Sequence, residues 1–207
     1  MKIIDIISTE IEDVKVVRFE RFADHRGYFS ETYRKSDLTE NEQIPFLKNV
    51  EFLQTNEAFS FKNTFRGLHF QYNPFMGKLI RCISGRLFDF ALDIRKNSSS
   101  FGKIVAVDMP SNIEMKYNEW VWLPPGFAHG TYVTENSLIE YMCSGTYNPE
   151  CEVAISIFAK DIDWGFCDKT IKSMILNNDN LIIRDRDLNA ISLQDWSNHQ
   201  DSDLFNL

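Results

Sequence analysis

Two short segments of the sequence each place a histidine beside residues that suit proton transfer on an anionic ligand. The first reads Arg66-Gly67-Leu68-His69-Phe70-Gln71 and is followed by Lys78, and the second reads Gly126-Phe127-Ala128-His129-Gly130. Only four histidines occur in the chain, so finding two of them in these segments is informative. Because imidazole titrates near neutral pH, and Arg66 and Lys78 can hold phosphate oxygens, the segments indicate proton chemistry on a phosphorylated substrate.

The length and composition predict a single folded domain that spans residues 1–207. The chain has 207 residues, 43% of them hydrophobic, and its 17 phenylalanines can fill a sizeable core. The polar segment 177–207 has the composition of a loose arm. Its apolar run Leu181-Ile182-Ile183 indicates that part of this segment docks on the rest of the domain.

Charge, cysteine usage and hydropathy narrow the class of protein. The formal net charge of −8 argues against a general nucleic-acid-binding protein, so an anionic ligand would need a local basic pocket. The four cysteines form no CxxC pair, and the start Met1-Lys2-Ile3-Ile4 is not that of a signal peptide. No apolar run approaches the ~18 residues of a membrane span. We therefore expect a soluble, cytoplasmic protein with neither a membrane nor a nucleic acid as partner.

Alternating apolar and polar residues predict a protein built from strands. In Arg86–Arg95, the residues at even positions from Phe88 to Ile94 are apolar, which is the period of a half-buried strand. Similar short stretches, separated by turn sequences, occur at 15–19, 103–109, 119–123, 138–143 and 153–158. We expect a sandwich or jelly roll, with helix limited to one turn near Ser36–Glu40 and to weakly helical sequence after Asp161.

A further set of motifs resembles the nucleotide-diphosphate 4-keto-6-deoxysugar epimerases, the family typified by dTDP-4-dehydrorhamnose 3,5-epimerase. The resemblance covers nearly the whole chain, and the order and spacing of its short elements are specific. These elements are Asp24-His25-Arg26-Gly27-Tyr28-Phe29-Ser30-Glu31, Gln54-Thr55-Asn56, Arg66-Gly67-Leu68-His69-Phe70-Gln71, Gly77-Lys78-Leu79, Asp93-Ile94-Arg95, Ser100-Phe101-Gly102, Pro125-Gly126-Phe127-Ala128-His129-Gly130 and Tyr141-Met142-Cys143.

The resemblance implies an all-β, cupin-type jelly-roll β-sandwich with a few short helices, mostly near the C-terminus. It implies a homodimer that epimerises the carbons beside the ketone of a nucleotide-diphosphate sugar, with no metal and no organic cofactor. The sequence independently argues against a metal site, because many metal-binding cupins carry an HxH pair where this chain has Leu68-His69-Phe70-Gln71.

By the same resemblance, four residues have catalytic roles. His69 would remove a proton beside the keto group, and Asp187 would orient His69 and stabilise its charged form. Tyr141 would return a proton to the opposite face of the sugar, while Lys78 would stabilise negative charge on the keto oxygen. On pattern alone, His69 and Tyr141 would instead be ordinary strand residues and Asp187 a solvated charge.

The resemblance also implies a set of substrate-binding residues, some of which would complete the site of the neighbouring subunit. These residues are Arg26, Glu31, Gln54, Asn56, Arg66, His129 and Glu152. Arginine suits a diphosphate because its planar fork donates two parallel hydrogen bonds.

Departures from the family pattern leave the substrate open. Thr55 stands where Asp is more common, and Ala58-Phe59-Ser60 where a serine-rich segment is common. The sequence favours inversion at C3 and C5, with C3-only epimerisation of a dTDP- or CDP-linked sugar as the alternative. Two other classes remain: a metal-dependent cupin, which would need the missing HxH pair, and a non-catalytic nucleotide-sugar-binding cupin, against which His69 and Tyr141 argue.

Overall fold

The structure, a computed structural model that describes residues 1–205, consists mainly of β-strands. They are β1 (Ile3–Ser8), β2 (Lys15–Glu20), β3 (Phe22–Asp24), β4 (Gly27–Phe29), β5 (Gln54–Ser60), β6 (Phe65–Gln71), β7 (Lys78–Asp93), β8 (Ile104–Ser111), β9 (Tyr117–Leu123), β10 (Phe127–Val133), β11 (Ser137–Cys143) and β12 (Glu152–Ala154). The α-helices are α1 (Lys35–Thr39), α2 (Lys169–Leu176), α3 (Asp185–Leu188) and α4 (Leu193–Ser197), and 3-10 helices cover Pro45–Leu47 and Gln200–Phe205. Among residues 1–205, no helix has the length and hydrophobicity needed to cross a membrane.

Ten of the strands form one branched sheet, and its two layers share β7. The first layer has the order β1-β2-β9-β7-β11-β5, and the second has the order β8-β7-β10-β6-β12. With 16 residues, β7 is long enough to serve both layers: Lys78–Ser84 pairs with β11, and Gly85–Leu92 pairs with β8. β3 and β4 form a separate hairpin. The predicted all-β jelly-roll sandwich with few short helices is confirmed.

Apolar side chains cover both faces of each layer. A cluster between the layers joins Ile80 and Ile139 of the first layer to Ala91 and Val133 of the second. Another cluster packs the C-terminal segment on the outer face of the second layer, and a third packs residues 38–47 on the outer face of the first layer. The central strands of both layers are therefore covered on both faces, whereas β1 and alternate residues of β5 are exposed.

This double coverage makes the prediction of a half-buried strand at Arg86–Arg95 wrong. Every residue from 87 to 93 is buried. Phe88 packs in the outer cluster of the second layer, while Leu87 packs between the layers. The pattern was misleading because Asp89, on the same parity as Leu87, is polar and yet buried.

Most other predicted elements are found, with one shortened. The strands predicted at 15–19, 103–109, 119–123 and 138–143 are β2, β8, β9 and β11, and α1 and α2 lie where helical sequence was expected. The strand predicted at 153–158 is shorter, because only Glu152–Ala154 pairs with β6.

The C-terminal segment holds α3 against β6 from both sides. Before α3, the carbonyl of Ile182 accepts a hydrogen bond from the backbone N–H of Phe65 at 2.8 Å. After α3, Trp196 and Phe205 are fully buried, and the Trp196 ring lies 4.6 Å from that of Phe70 on β6. These aromatic contacts extend the docking well beyond the apolar run at 181–183.

Candidate active site

A bulge between β6 and β10 turns four side chains into the space between the layers. His129 pairs with His69, whereas Thr131, two residues further on β10, pairs with Arg66, three residues back on β6. The extra residue on β6 shifts its alternation, so Arg66 and His69 face the same side as His129 and Thr131. All four line one cavity.

Gly67 lies within this bulge, at a position that only glycine suits. Its φ is +115°, and a Cβ atom there would lie 2.5 Å from the carbonyl oxygen of His129. The backbone N–H of Gly67 donates to Oδ2 of Asp187 at 3.3 Å. Glycine therefore lets β10 approach β6 closely while β6 helps to hold a carboxylate.

His69 and Asp187 form a hydrogen-bonded pair, with 2.7 Å between Nε2 of His69 and Oδ1 of Asp187. Burial opposes ionisation of Asp187, but the hydrogen bond and charge of His69, with the N–H of Gly67, hold the pKa of the carboxyl below its usual range. An ionised carboxylate only accepts hydrogen bonds, so in the neutral imidazole Nε2 carries the proton and Nδ1 keeps a lone pair. His69 is thus arranged to accept a proton at Nδ1.

His129 forms a second imidazole–carboxylate pair on the neighbouring strand. Its Nε2 lies 2.8 Å from Oδ2 of Asp89, whose other oxygen is buried and has no hydrogen-bond partner among residues 1–205. Burial lowers the pKa of His129 despite Asp89, and the nearby charges of Lys78 and His69 lower it further. Each histidine of the cavity therefore has its own carboxylate.

The first layer contributes Tyr141, which lies on β11 and pairs directly with Asn56 on β5. Burial raises the pKa of the Tyr141 phenol, with a further contribution from Cys143, while Arg66 and a hydrogen bond with Asn56 oppose the shift. The phenol therefore stays protonated at neutral pH and can donate a proton. Since His69 belongs to the second layer, the two groups reach the cavity from opposite layers.

Lys78, the first residue of β7, places an ammonium group in the same cavity. It is partly exposed because it lines the cavity, but the surrounding protein desolvates the ammonium and lowers its pKa. The charges of Cys143, Glu152 and Asp89 only partly oppose this shift. Little solvent therefore surrounds Lys78, which strengthens the interaction of its protonated form with an anion.

The cavity has an inner and an outer compartment. Both compartments are lined by His69, Lys78, Tyr141, Glu152 and Arg184. The inner compartment, of about 190 Å³, adds Ala58, Arg66, His129, Thr131, Ile139 and Asp187. The outer compartment adds Gln54, Asn56, Met76, Cys143, Tyr147 and Arg186. Tyr147 is 51% exposed, so the outer compartment opens to solvent.

The cavity is cationic although the chain has a net charge of −8. Its cations are Arg66, Lys78, Arg184 and Arg186. Arg66 is held by Ser60 Oγ at 3.0 Å, and Arg186 donates to Glu152 at 2.6 Å. The Arg184 side chain makes no hydrogen bond or ion pair within the described chain. This is the local basic pocket that an anionic ligand requires.

Polar groups of the outer compartment are linked to one another across β5 and the loop after β11. Nε2 of Gln54 donates to Oδ1 of Asn56 at 3.0 Å, and Oε1 of Gln54 accepts the N–H of Tyr147 at 2.9 Å. The Tyr147 hydroxyl donates to Glu152 at 3.2 Å. Gln54, Asn56 and Glu152, which the family resemblance assigns to substrate binding, therefore lie together.

Arg26 and Glu31, which the resemblance also assigned to substrate binding, lie outside this cavity. Arg26 is in the turn of the β3–β4 hairpin, where it is 78% exposed and pairs with Asp24 at 2.7 Å. Glu31 follows the hairpin and is bound by Arg34 at 2.5 Å and by the amino group of Met1 at 3.0 Å. The structure thus brings together nine of the eleven predicted site residues, leaving these two apart.

The structure adds eight lining residues to the predicted set, and three of them have side chains suited to bind a nucleotide diphosphate: Tyr147, Arg184 and Arg186. The two arginines flank Asp185 in the tail, and alternating charges of this kind are typical of a solvated surface. Tyr147 lies in a loop without a recognisable pattern. It follows Tyr141 by only six positions, and this proximity was the one available signal.

Metal-binding and thiol chemistry find little support among residues 1–205. No group of three or more His, Cys, Asp or Glu side chains in this range is placed to hold a metal ion. All four cysteines are free thiols. Burial raises the pKa of Cys82 and of Cys167 to about 12, so neither is a reactive thiolate.

Comparisons with known proteins agree with the fold and the cavity. Residues 8–195 match the family described as dTDP-4-dehydrorhamnose 3,5-epimerase. The enzyme of that name from Methanothermobacter thermautotrophicus is 34% identical over 186 residues, 88% of this chain and 91% of the relative. The one from Neisseria gonorrhoeae is 38% identical over 149 residues, 72% of this chain but only 43% of the relative. The dTDP-6-deoxy-D-glucose-3,5-epimerase of Legionella pneumophila, solved with dTDP-4-keto-L-rhamnose, is 30% identical with a TM-score of 0.77, covering 92% of this chain and 93% of that one. The chain therefore belongs to the dTDP-4-dehydrorhamnose 3,5-epimerase family.

Proposed function

We propose that this protein epimerises a nucleotide-diphosphate 4-keto-6-deoxyhexose at C3 and C5 by proton transfer beside the keto group. The observation that carries the proposal is the placement of His69 and Tyr141 on opposite layers of one cavity that Lys78 also lines. An inversion needs a base on one face of a carbon and an acid on the other. Family membership supports the same substrate class, since the relatives are named for dTDP-linked deoxysugars.

Each inversion consists of two proton transfers. Nδ1 of His69 takes the proton from the carbon beside the ketone, and the electron pair of the broken C–H bond forms an enolate. The ammonium of Lys78 stabilises the enolate oxygen, a contact worth about 3–4 kcal/mol by analogy with oxyanion-hole donors. The hydroxyl of Tyr141 then donates its proton to the opposite face of the same carbon. Solvent restores the phenol, and the imidazolium of His69 releases its proton to solvent.

The remaining cavity residues fit the nucleotide diphosphate. Arg184, whose side chain has no partner within the described chain, and Arg186 at the outer compartment suit the diphosphate oxygens. The half-exposed ring of Tyr147 offers a face on which a base can stack. Gln54 and Asn56 supply amide donors and acceptors for the edge of that base.

We also propose a homodimer in the cytoplasm. Arg26 is exposed on a hairpin that also exposes Phe29, 70% accessible, and Phe22, 50% accessible, so the hairpin has an apolar surface that a second subunit can cover. In such a dimer, Arg26 and Glu31 would reach the partner's cavity instead of their own. The free cysteines agree with a reducing compartment.

The first test is hydrogen exchange in D₂O with dTDP-4-keto-6-deoxyglucose and, separately, its CDP analogue. Deuterium at both C3 and C5, followed by NMR against a control without enzyme, would support 3,5-epimerisation and identify the nucleotide. Deuterium at C3 alone would replace the proposal with a C3-only epimerase. Absence of deuterium with either substrate would contradict the proposed reaction.

Two variants test the roles of the base and the acid. We expect His69→Ala to slow exchange roughly 10²–10⁴-fold while dTDP binding, measured by calorimetry, is retained. Tyr141→Phe should slow reprotonation, so that epimerised product forms more slowly than the substrate loses its proton. His199→Ala, at a histidine outside the cavity, serves as the control. Full rates in both cavity variants would show that the mechanism is wrong.

A further inference from the structure

We propose that Ala58 and Ile139 form an apolar seat for the C6 methyl group of the sugar and so make the enzyme selective for 6-deoxy substrates. The inference rests on the proposed function and adds to it the residues that recognise the missing hydroxyl. It begins from the composition of the inner compartment. Eleven residues line that compartment, and only Ala58 and Ile139 among them have side chains made of hydrocarbon alone.

The two residues are adjacent, which makes their apolar surface continuous. Ile139 on β11 is the direct pairing partner of Ala58 on β5. Directly paired side chains in an antiparallel sheet lie about 4.5–5.5 Å apart at Cβ. Ile139 is 2% exposed and belongs to the cluster between the layers, so its position is fixed by packing. Two residues along β11, Tyr141 faces the same side.

The geometry of the sugar ring carries the methyl group to this place. A diphosphate held by Arg184 and Arg186 puts C1 toward the outer compartment. C4 lies across the ring from C1, so the keto group points into the inner compartment, where Lys78 is available. The substituents that flank C4 are the C3 hydroxyl and the C5 methyl group. These two groups therefore lie in the inner compartment on either side of the keto group.

The inner compartment offers a different wall to each of these groups. The second layer supplies hydrogen-bonding side chains, Arg66 and Thr131, which suit the C3 hydroxyl. The first layer supplies Ala58 and Ile139, which suit a methyl group. A hydroxymethyl group in that place would lose hydrogen bonds to water without gaining others. Apolar pockets reject an added hydroxyl by roughly 10²-fold.

The test compares dTDP-4-keto-6-deoxyglucose with dTDP-4-keto-glucose, which carries a hydroxyl at C6. The exchange rate of the C3 proton in D₂O can be measured in the same way for both substrates, because the two sugars are identical at C3. We expect the wild-type protein to prefer the 6-deoxy sugar by roughly 100-fold in kcat/KM. Ala58→Ser and Ile139→Thr, which each add a hydroxyl to the seat, should reduce the preference at least tenfold, mainly by improving use of the 6-hydroxy sugar.

Matched variants separate the seat from effects on folding. Ile139→Val keeps a hydrocarbon surface and should keep the preference. Leu138→Thr makes the same kind of change one residue away, on the opposite face of β11, and should leave the preference at its wild-type value. Exchange of both sugars at equal rates, or an unchanged preference in Ala58→Ser and Ile139→Thr, would overturn the seat while leaving the epimerase proposal intact. Exchange of neither sugar by the wild-type protein would overturn both.

Discussion

Asp187 does more than add charge beside His69, because its two oxygens have different partners. Oδ1 accepts from Nε2 of His69, and Oδ2 accepts from the backbone N–H of Gly67. A carboxamide in this place has only one acceptor oxygen, and the N–H of Gly67 would bind it. The NH₂ group of the carboxamide would then face Nε2, which forces the proton of His69 onto Nδ1.

The substitution Asp187→Asn should therefore prevent His69 from accepting a proton at Nδ1 while the site still binds the nucleotide. We expect the exchange rate in D₂O to fall roughly 10²–10⁴-fold with dTDP binding nearly unchanged. Asp185→Asn, at an exposed neighbour on α3, is the matched control and should retain the wild-type rate. Equal losses in the two variants would mean that general negative charge matters, and not the orientation of His69.

The environment of Lys78 predicts that activity is lost at a pH below the ordinary pKa of lysine. The ammonium is the active form, and burial lowers its pKa, so it loses its proton below the ordinary lysine value of about 10.4. The pKa of Tyr141 is raised by burial, so its phenol does not set this limit. We expect Lys78→Arg to move the alkaline limb of kcat/KM to higher pH at a reduced maximal rate, since guanidinium stays charged. Lys62→Arg, at an exposed lysine, should not move the limb, and an unmoved limb in Lys78→Arg would contradict the assignment.

At the scale of elements, the bulge between β6 and β10 is the feature that assembles the site, and Gly67 makes it possible. In Gly67→Ala, a Cβ atom would meet the carbonyl of His129 and the Cα of Gly130 at 2.5 and 2.6 Å. We expect a loss of about 2–5 kcal/mol in the free energy of unfolding, from positive φ and overpacking together, with lost exchange activity.

Gly27→Ala is the matched control for this loss of stability. Gly27 also has a positive φ, +130°, but a Cβ atom there meets nothing within 4 Å. Thermal or denaturant unfolding should therefore show a smaller loss for Gly27→Ala. Equal losses in the two glycine variants would mean that strand approach at the bulge is unimportant.

The sequence predicted those parts of the fold and cavity whose signals are local. Arg66, His69 and Lys78 follow one another closely, and their spacing was recognisable. The clusters that bury both faces of β7 could not be predicted, because they depend on segments far away in the chain. For the same reason the alternation at Phe88 and Asp89 predicts a half-buried strand where both faces are buried, and the polar composition of the tail does not predict the burial of Trp196.

For the molecule as a whole, the position of Arg26 predicts that two chains share each site. A mixture of Arg26→Ala and His69→Ala subunits tests this directly. If Arg26 acts in its partner's cavity, the mixed dimer contains one cavity with both residues intact. Activity should then reappear on mixing two inactive proteins, at up to roughly half of the wild-type rate per mixed dimer. No recovery, with mixed dimers demonstrated by differential tagging, would place Arg26 in its own chain's site or outside the reaction.

The distance in sequence between His69 and Asp187 has a consequence for the newly made protein. The two residues are 118 positions apart, and every strand lies before Asp187 among the residues that the structure describes. A chain emerging from the ribosome therefore exposes all of these strands before it exposes the partner of its base. The strands can therefore pair while the cavity still lacks Arg184, Arg186 and Asp187. The active site is thus completed last during synthesis, when Trp196 and Phe205 pack the C-terminal segment on the second layer.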